Sequence, residues 1–171
     1  MKNDYDEPMF INVVSCRDDC SKEQIEAEIK EIIFNQPFAV LATQGEGQPY
    51  TSLISYAAST DLQHLVFATP VQTRKYSQII KNKRVSLLID NRSQQPESIN
   101  LIRAITVTGQ ARALEKEEEA EQWARLLLNK HSYLAKFVKS NTSGLILIKV
   151  VRYFYVRRFQ EVYQWIPQSH S

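Results

Sequence analysis

Hydrophobic residues recur with two different periods along the chain, and the periods separate predicted helices from predicted strands. Four isoleucines between positions 25 and 33 follow helical spacing, and Ser21 with Gln24 forms a capping-box pattern just before them. Between Ile102 and Leu114, apolar and polar residues alternate strictly enough to predict a long strand with one buried face. We therefore expect a helix early in the chain and at least one amphipathic strand.

The other apolar runs are short and are bounded by turn residues, which predicts strands joined by hairpins. A polar loop follows Asp90, and helices are predicted up to Ile80 and over Glu115–Lys130. Because few helical crossovers separate the strands, the pattern favours a mainly β fold with peripheral helices and a closed antiparallel sheet. The predicted strands are Phe38–Thr43, Pro49–Tyr56, a run ending at Thr69, Arg84–Ile89, and two closing strands between Gly144 and Trp165.

Composition fits one domain over residues 1–171, with residues 1–20 as an extended arm, because 171 residues of which 43% are hydrophobic can form one core. No apolar run reaches the roughly 20 residues that cross a bilayer, so we expect a cytoplasmic protein without a membrane partner. A net charge of +2 argues against a nucleic-acid partner. Cys16 and Cys20 are interpreted as free thiols, and no metal site is predicted.

The segment from His64 to Ile79 carries the clearest chemical signal. An apolar strand leads into a turn with Thr69 and Thr73, and the helix that follows begins with Arg74 and Lys75. Amide groups at a helix start lack intrahelical partners and favour an anion, whereas cations are the wrong charge for that end of the helix dipole. These four residues are therefore predicted to hold a phosphate. The simpler alternative is that the threonines only cap the helix.

The run VFATPVQTRKYSQIIKNKRVSLLID, residues 66–90, resembles the core signature of the pyridoxamine 5′-phosphate oxidase-like, FMN-binding split β-barrel family. The resemblance implies a split antiparallel barrel that binds FMN, with the cofactor's phosphate held at Ala68, Thr69, Arg74 and Lys75. It further implies that one strand lies along the isoalloxazine ring. The residues of that strand predicted to contact the ring are Ser52, Leu53, Ile54 and Ser55.

Members of this family are usually homodimers with two flavins between the subunits. The resemblance therefore implies a homodimer here, with the cofactor at the subunit interface. Trp165, late in the chain, is predicted to approach the cofactor of the second subunit. Haem and deazaflavin are the alternative cofactors, because relatives in this group use them.

The sequence departs from the pyridoxamine phosphate oxidases themselves. Their ring-binding strand carries an Arg and a Lys that are absent between Ser52 and Ala58, and Ala104 replaces the Gln expected after Arg103. The Tyr, Arg and Ser set that binds the substrate phosphate is not recognisable in residues 117–131. We therefore predict an FMN-dependent oxidoreductase or flavin reductase-like enzyme acting on another small molecule, with no catalytic residue assigned. The alternatives are a flavin- or haem-binding carrier without turnover, or a deazaflavin-dependent reductase.

Overall fold

The computed structural model describes residues 21–94, 98–115, 117–158 and 161–167. The predicted helices and strands are all present, whereas the predicted arm and both cysteines lie outside the described residues. Short 3-10 turns at 92–94, 99–101 and 132–134 were not predicted. The elements are α1 (Lys22–Asn35), β1 (Phe38–Gly45), β2 (Gln48–Ala58), β3 (His64–Pro70), α2 (Arg74–Lys81), β4 (Arg84–Asp90), β5 (Ala104–Ala113), α3 (Glu117–Lys130), α4 (Ala135–Val138), β6 (Ser143–Arg157) and β7 (Glu161–Trp165).

The strands form one sheet that closes on itself. Their order is β3-β2-β1-β4-β5-β6-β7, and β3 also pairs with β6, so six strands form a barrel and β7 lies outside it on β6. All of the described pairings are antiparallel. The predicted mainly β barrel with peripheral helices is confirmed.

The alternating pattern of each strand puts one face into the barrel interior. In β5, the predicted inward residues Ile105, Val107, Gly109 and Ala111 are buried. The four isoleucines of α1 are buried at one end of the barrel, and Ile79 of α2 is buried in the same core. A second apolar cluster lies outside the barrel, where α3 covers parts of β2, β3 and β6.

The end of α3 is fixed to the end of α1 by a half-buried lysine. Lys130 Nζ donates to the carbonyl oxygens of Ile33, at 3.0 Å, and Gln36, at 2.7 Å. A cation at these carbonyls complements the negative end of the α1 dipole. This contact fixes the position of the segment that follows α3, which contacts β2. No described helix is long and apolar enough to cross a membrane.

Candidate functional site

The strands β2 and β3 separate part of the way along the barrel. Their ladder consists of Tyr56 with Phe67, Ala57 with Val66 and Ala58 with Leu65. Beyond Tyr56, β2 continues beside β1 as far as Gln48, and β3 continues beside β6 as far as Pro70. Residues 52–55 and 68–70 therefore border a gap in the barrel wall, which we call the β2–β3 split.

Helix α2 begins next to the β3 side of this split and is capped by Thr73. The Thr73 hydroxyl donates to the Pro70 carbonyl at 2.8 Å and accepts from the Tyr76 amide at 3.4 Å. Thr69 Oγ1 lies 3.1 Å from Thr73 Oγ1 and must donate to it, because the Thr73 proton is already used. Thr69 is only 1% exposed, so its hydroxyl positions the cap and does not face solvent.

The first turn of α2 carries positive charge and free amide donors. No described residue accepts a hydrogen bond from the Arg74 or Lys75 amide, as expected at the first positions of a helix. Arg74 is exposed, and its guanidinium lies 5.2 Å from the centre of the Tyr50 ring on β2. No acidic residue is in this turn. Side chains, amides and dipole together provide the donor set that a phosphate requires.

The four predicted residues of β2 divide between the two faces of the sheet. Leu53 is 67% exposed and Ser55 is half-buried, and both point outward, whereas Ile54 is buried in the core. Ile54 can thus offer a ligand only its backbone. Ala68, across the split, packs against the cluster beneath α3.

Two serine hydroxyls test whether this region suits a polar ligand. Ser52 Oγ on β2 and Ser143 Oγ, opposite Pro70 on β6, are buried and have no hydrogen-bond partner among the described residues. Buried hydroxyls are almost always hydrogen-bonded, so each can still donate to a bound molecule. The residues present therefore fit a phosphate-bearing ligand.

A polar chain that was not predicted from the sequence reaches β2 from the segment after α3. Ser55 Oγ lies 3.3 Å from Tyr133 Oη, which lies 3.0 Å from His131 Nδ1, and His131 Nε2 lies 2.9 Å from the Tyr56 carbonyl oxygen. His131 is 2% exposed, and burial lowers its pKa below the usual value. No local motif signals this contact, because Ser55 and Tyr133 are 78 residues apart.

The buried His131 predicts a loss of stability in mild acid. Its pKa is lower in the folded chain than in the unfolded chain, so the unfolded chain binds more protons below about pH 6.5. The free energy of unfolding should then fall with decreasing pH, by at most about 1.4 kcal/mol per pH unit for this group. Urea unfolding at several pH values between 7.5 and 5 measures the slope.

The variant His131→Gln isolates this contribution. Burial also lowers the pKa of His64, which adds to the slope in the same pH range. The variant should lose the part due to His131 and keep the part due to His64, so its slope should be shallower than that of the unmodified protein. Equal slopes would show that His131 does not titrate differently on unfolding.

Trp165 lies away from the split within one chain. It pairs with Tyr153 on β6, and the two rings are 5.4 Å apart. Thr69 pairs with Gly144 at the other end of the same strand, and nine residues of strand span roughly 30 Å. The approach of Trp165 to the cofactor of a second subunit stays a prediction.

Comparison with known proteins agrees with this fold. The sequence profile of the pyridoxamine 5′-phosphate oxidase family matches residues 25–157. No curated protein matches the chain. A solved protein of Clostridium acetobutylicum, described as related to general stress protein 26 and of the pyridoxinephosphate oxidase family, is similar with 15% identity and a TM-score of 0.66, over 85% of this chain and 96% of that one.

Two further solved structures share the fold but bind different cofactors. A FAD-binding protein from Mesorhizobium loti is 17% identical with a TM-score of 0.62, over 75% of this chain and 91% of its own. A heme binding protein from Mycobacterium smegmatis is 18% identical with a TM-score of 0.72, over 82% of this chain but 57% of its own. Because the family profile covers most of the sequence and the barrel is of the same kind, the chain belongs to the pyridoxamine 5′-phosphate oxidase family.

Proposed function

We propose that this protein binds FMN in the β2–β3 split and is an FMN-dependent oxidoreductase or flavin reductase-like enzyme acting on a small molecule. The observation that carries the proposal is the start of α2. There, Thr73 caps the helix, the Arg74 and Lys75 amides are free, and two cations lie beside the split. This arrangement is suited to a phosphate monoester rather than to an uncharged ligand.

Within this proposal, each part of the split has a separate task. Arg74 and Lys75 neutralise the phosphate, and Tyr50 holds the Arg74 guanidinium towards β2. The exposed Leu53 side chain covers the ligand with apolar surface, and Ser52 offers its buried hydroxyl. Bound FMN supplies the hydride and electron chemistry, so the protein need only bind, orient and exclude water.

The proposed substrate is not pyridoxamine 5′-phosphate. The oxidases carry a cation at the start and at the end of the ring-binding segment of β2. In this chain the segment runs from Ser52 to Ala58 without a cation, and Ala58 is buried in the barrel core. The split therefore has one cationic end, at α2, which FMN would occupy. A substrate without a phosphate group suits the remaining surface better.

The proposal is tested by the purified protein's own ligand and its redox behaviour. Heat release followed by mass spectrometry should yield FMN, or added FMN should bind with quenched fluorescence. NADH or NADPH should then reduce the bound flavin, and an acceptor should reoxidise it with multiple turnovers. Reduction without turnover would contradict the enzymatic part and support a carrier.

A flavin- or haem-binding protein without turnover is the second candidate. It is favoured by the fold shared with the solved heme binding protein. Among the described histidines, His131 has both ring nitrogens in internal hydrogen bonds, which leaves the half-buried His64, beside Trp123, as the better haem ligand. A Soret band with hemin that disappears in His64→Ala would support haem, and binding of a deazaflavin in place of FMN would support the reductase alternative.

The homodimer remains a proposal, and the outer face of the sheet is where we place the second copy. Leu53, Val40 and Leu88 occupy facing positions on three neighbouring strands, and Phe38 beside them is 46% exposed. An apolar row of this kind is typical of an interface between subunits. Leu53 also borders the split, so the interface would reach the cofactor.

Replacing Leu88 by Asp should weaken this dimer at least tenfold, because the change places a charge in the centre of an apolar interface. Ile80→Asp is the matched control, since Ile80 is also exposed but lies on α2 outside this face. Sedimentation velocity over a range of concentrations measures both. A monomeric unmodified protein, or equal weakening by both variants, would overturn the assignment of this face.

A further inference from the structure

At neutral pH, the donors and acceptors in the hydrogen-bonded chain from Ser55 through Tyr133 and His131 to Tyr56 can be assigned in only one way. A carbonyl oxygen only accepts, so His131 Nε2 must carry the proton that it shares with Tyr56 at 2.9 Å. In the neutral imidazole, Nδ1 is then an acceptor, and the Tyr133 hydroxyl donates to it at 3.0 Å. Burial favours this neutral form because it lowers the pKa of His131.

Tyr133 consequently presents an acceptor and not a donor. Its proton is used by His131, so the phenolic oxygen accepts from Ser55 Oγ at 3.3 Å and has one further lone pair. The ring of Tyr133 meets that of His131 edge-on, with centres 5.6 Å apart, which fixes its direction. The residue is 65% exposed, so a bound molecule can reach this oxygen.

The position of this oxygen relates it to the proposed cofactor. Ser55 and Leu53 point outward from β2, and Ser55 is the split residue next to Tyr56, where the ladder with β3 begins. Helix α2 starts shortly after Pro70, at the open end of the split. A ligand with its phosphate at the start of α2 would thus extend along the split towards Ser55, where Tyr133 lies.

We propose that Tyr133 Oη binds the N3–H group of the flavin ring, with His131 as the positioning residue. The inference rests on the proposed function, since it names a contact of the same ligand. An oxidised flavin ring carries a single N–H, at N3, and an exposed acceptor that cannot itself donate selects for such a group. His131 acts only through Tyr133, because it is buried and both of its nitrogens are occupied.

The test compares FMN with 3-methyl-FMN, in which the N3 proton is replaced by a methyl group. The unmodified protein should bind FMN roughly 3- to 10-fold more tightly, the difference expected for one neutral hydrogen bond. Tyr133→Phe keeps the ring and deletes the hydroxyl, so it should lose this preference. Tyr50→Phe, beside Arg74 and away from Tyr133, should retain it. Fluorescence titration measures all six affinities, with circular dichroism to confirm folding.

The outcomes separate this inference from the proposed function. If the unmodified protein binds neither flavin, the proposed function is wrong and the inference with it. If FMN binds and Tyr133→Phe keeps the same preference over 3-methyl-FMN, FMN binding stands and the assignment of Tyr133 is overturned. Loss of the preference in Tyr133→Phe and its retention in Tyr50→Phe would support the contact.

Discussion

Replacing both Arg74 and Lys75 by Ala should weaken FMN binding at least about a hundredfold. Each side chain is expected to make a charge-assisted hydrogen bond to the phosphate worth roughly 1.5–3 kcal/mol, and two such bonds together exceed a factor of a hundred. The cap at Thr73 and the core contact of Ile79 do not involve either side chain, so the helix should persist. Quenching of flavin fluorescence measures the affinity.

The control for this change removes two positive charges at the other end of α2, from Lys81 and Lys83. Lys81 and Lys83 are exposed, and the ion pair of Lys81 with Glu46 is long, at 3.9 Å. Lys81→Ala with Lys83→Ala should therefore lower FMN affinity by less than a factor of about three, the amount expected of distant screened charges. Equal losses in the two double variants would show that net charge, and not the start of α2, attracts the ligand.

Gly109→Ala should be among the most destabilising single changes in the barrel. A Cβ atom at this position would lie 2.7 Å from the Lys149 carbonyl oxygen and 2.8 Å from Ile148 Cγ2, both on β6. The register between β5 and β6 also shifts between Thr108 and Gly109, so the two backbones approach closely here. Relief of the overlap requires movement of backbone, and we expect a loss of about 2–3 kcal/mol in the free energy of unfolding.

Gly47→Asn provides the comparison for this glycine. Gly47 has a φ of 81° in the β1–β2 turn, and a Cβ there would meet nothing within 4 Å. Asn tolerates such a conformation, so the cost should be below about 1 kcal/mol. Urea unfolding of both variants gives the two values. A loss in Gly109→Ala no larger than in Gly47→Asn would contradict the close approach of β5 and β6.

The parts of the fold that were predictable from the sequence are those with local signals. The alternation in β5, the capping box of α1 and the Gly45-Glu46-Gly47 turn each depend on neighbouring residues, and each is present in the structure. The start of α2 was predictable for the same reason, because Thr69, Thr73 and the two cations lie within one short segment. Short-range periodicity and capping chemistry determine such features.

The rest of the site depends on contacts between distant parts of the chain. Periodicity predicts that β2 and β3 are strands but cannot show where their ladder ends, which depends on how the barrel closes through β6. It gives no sign that Tyr133 reaches Ser55, and α4 was missed because it is only four residues long. The hydrogen bond from Lys130 to the Ile33 carbonyl, at the end of α1, fixes the position of the segment that follows α3. The two residues are 97 apart in the sequence.

Calorimetric titration of the unmodified protein with FMN and with riboflavin tests whether the start of α2 binds the flavin's phosphate. The two molecules share the ring and differ in the phosphate, so their difference in affinity reports the site at the start of α2. We expect FMN to bind at least about a hundredfold more tightly than riboflavin, because of the same two charge-assisted contacts. Equal affinities, or no binding of FMN, would contradict this expectation.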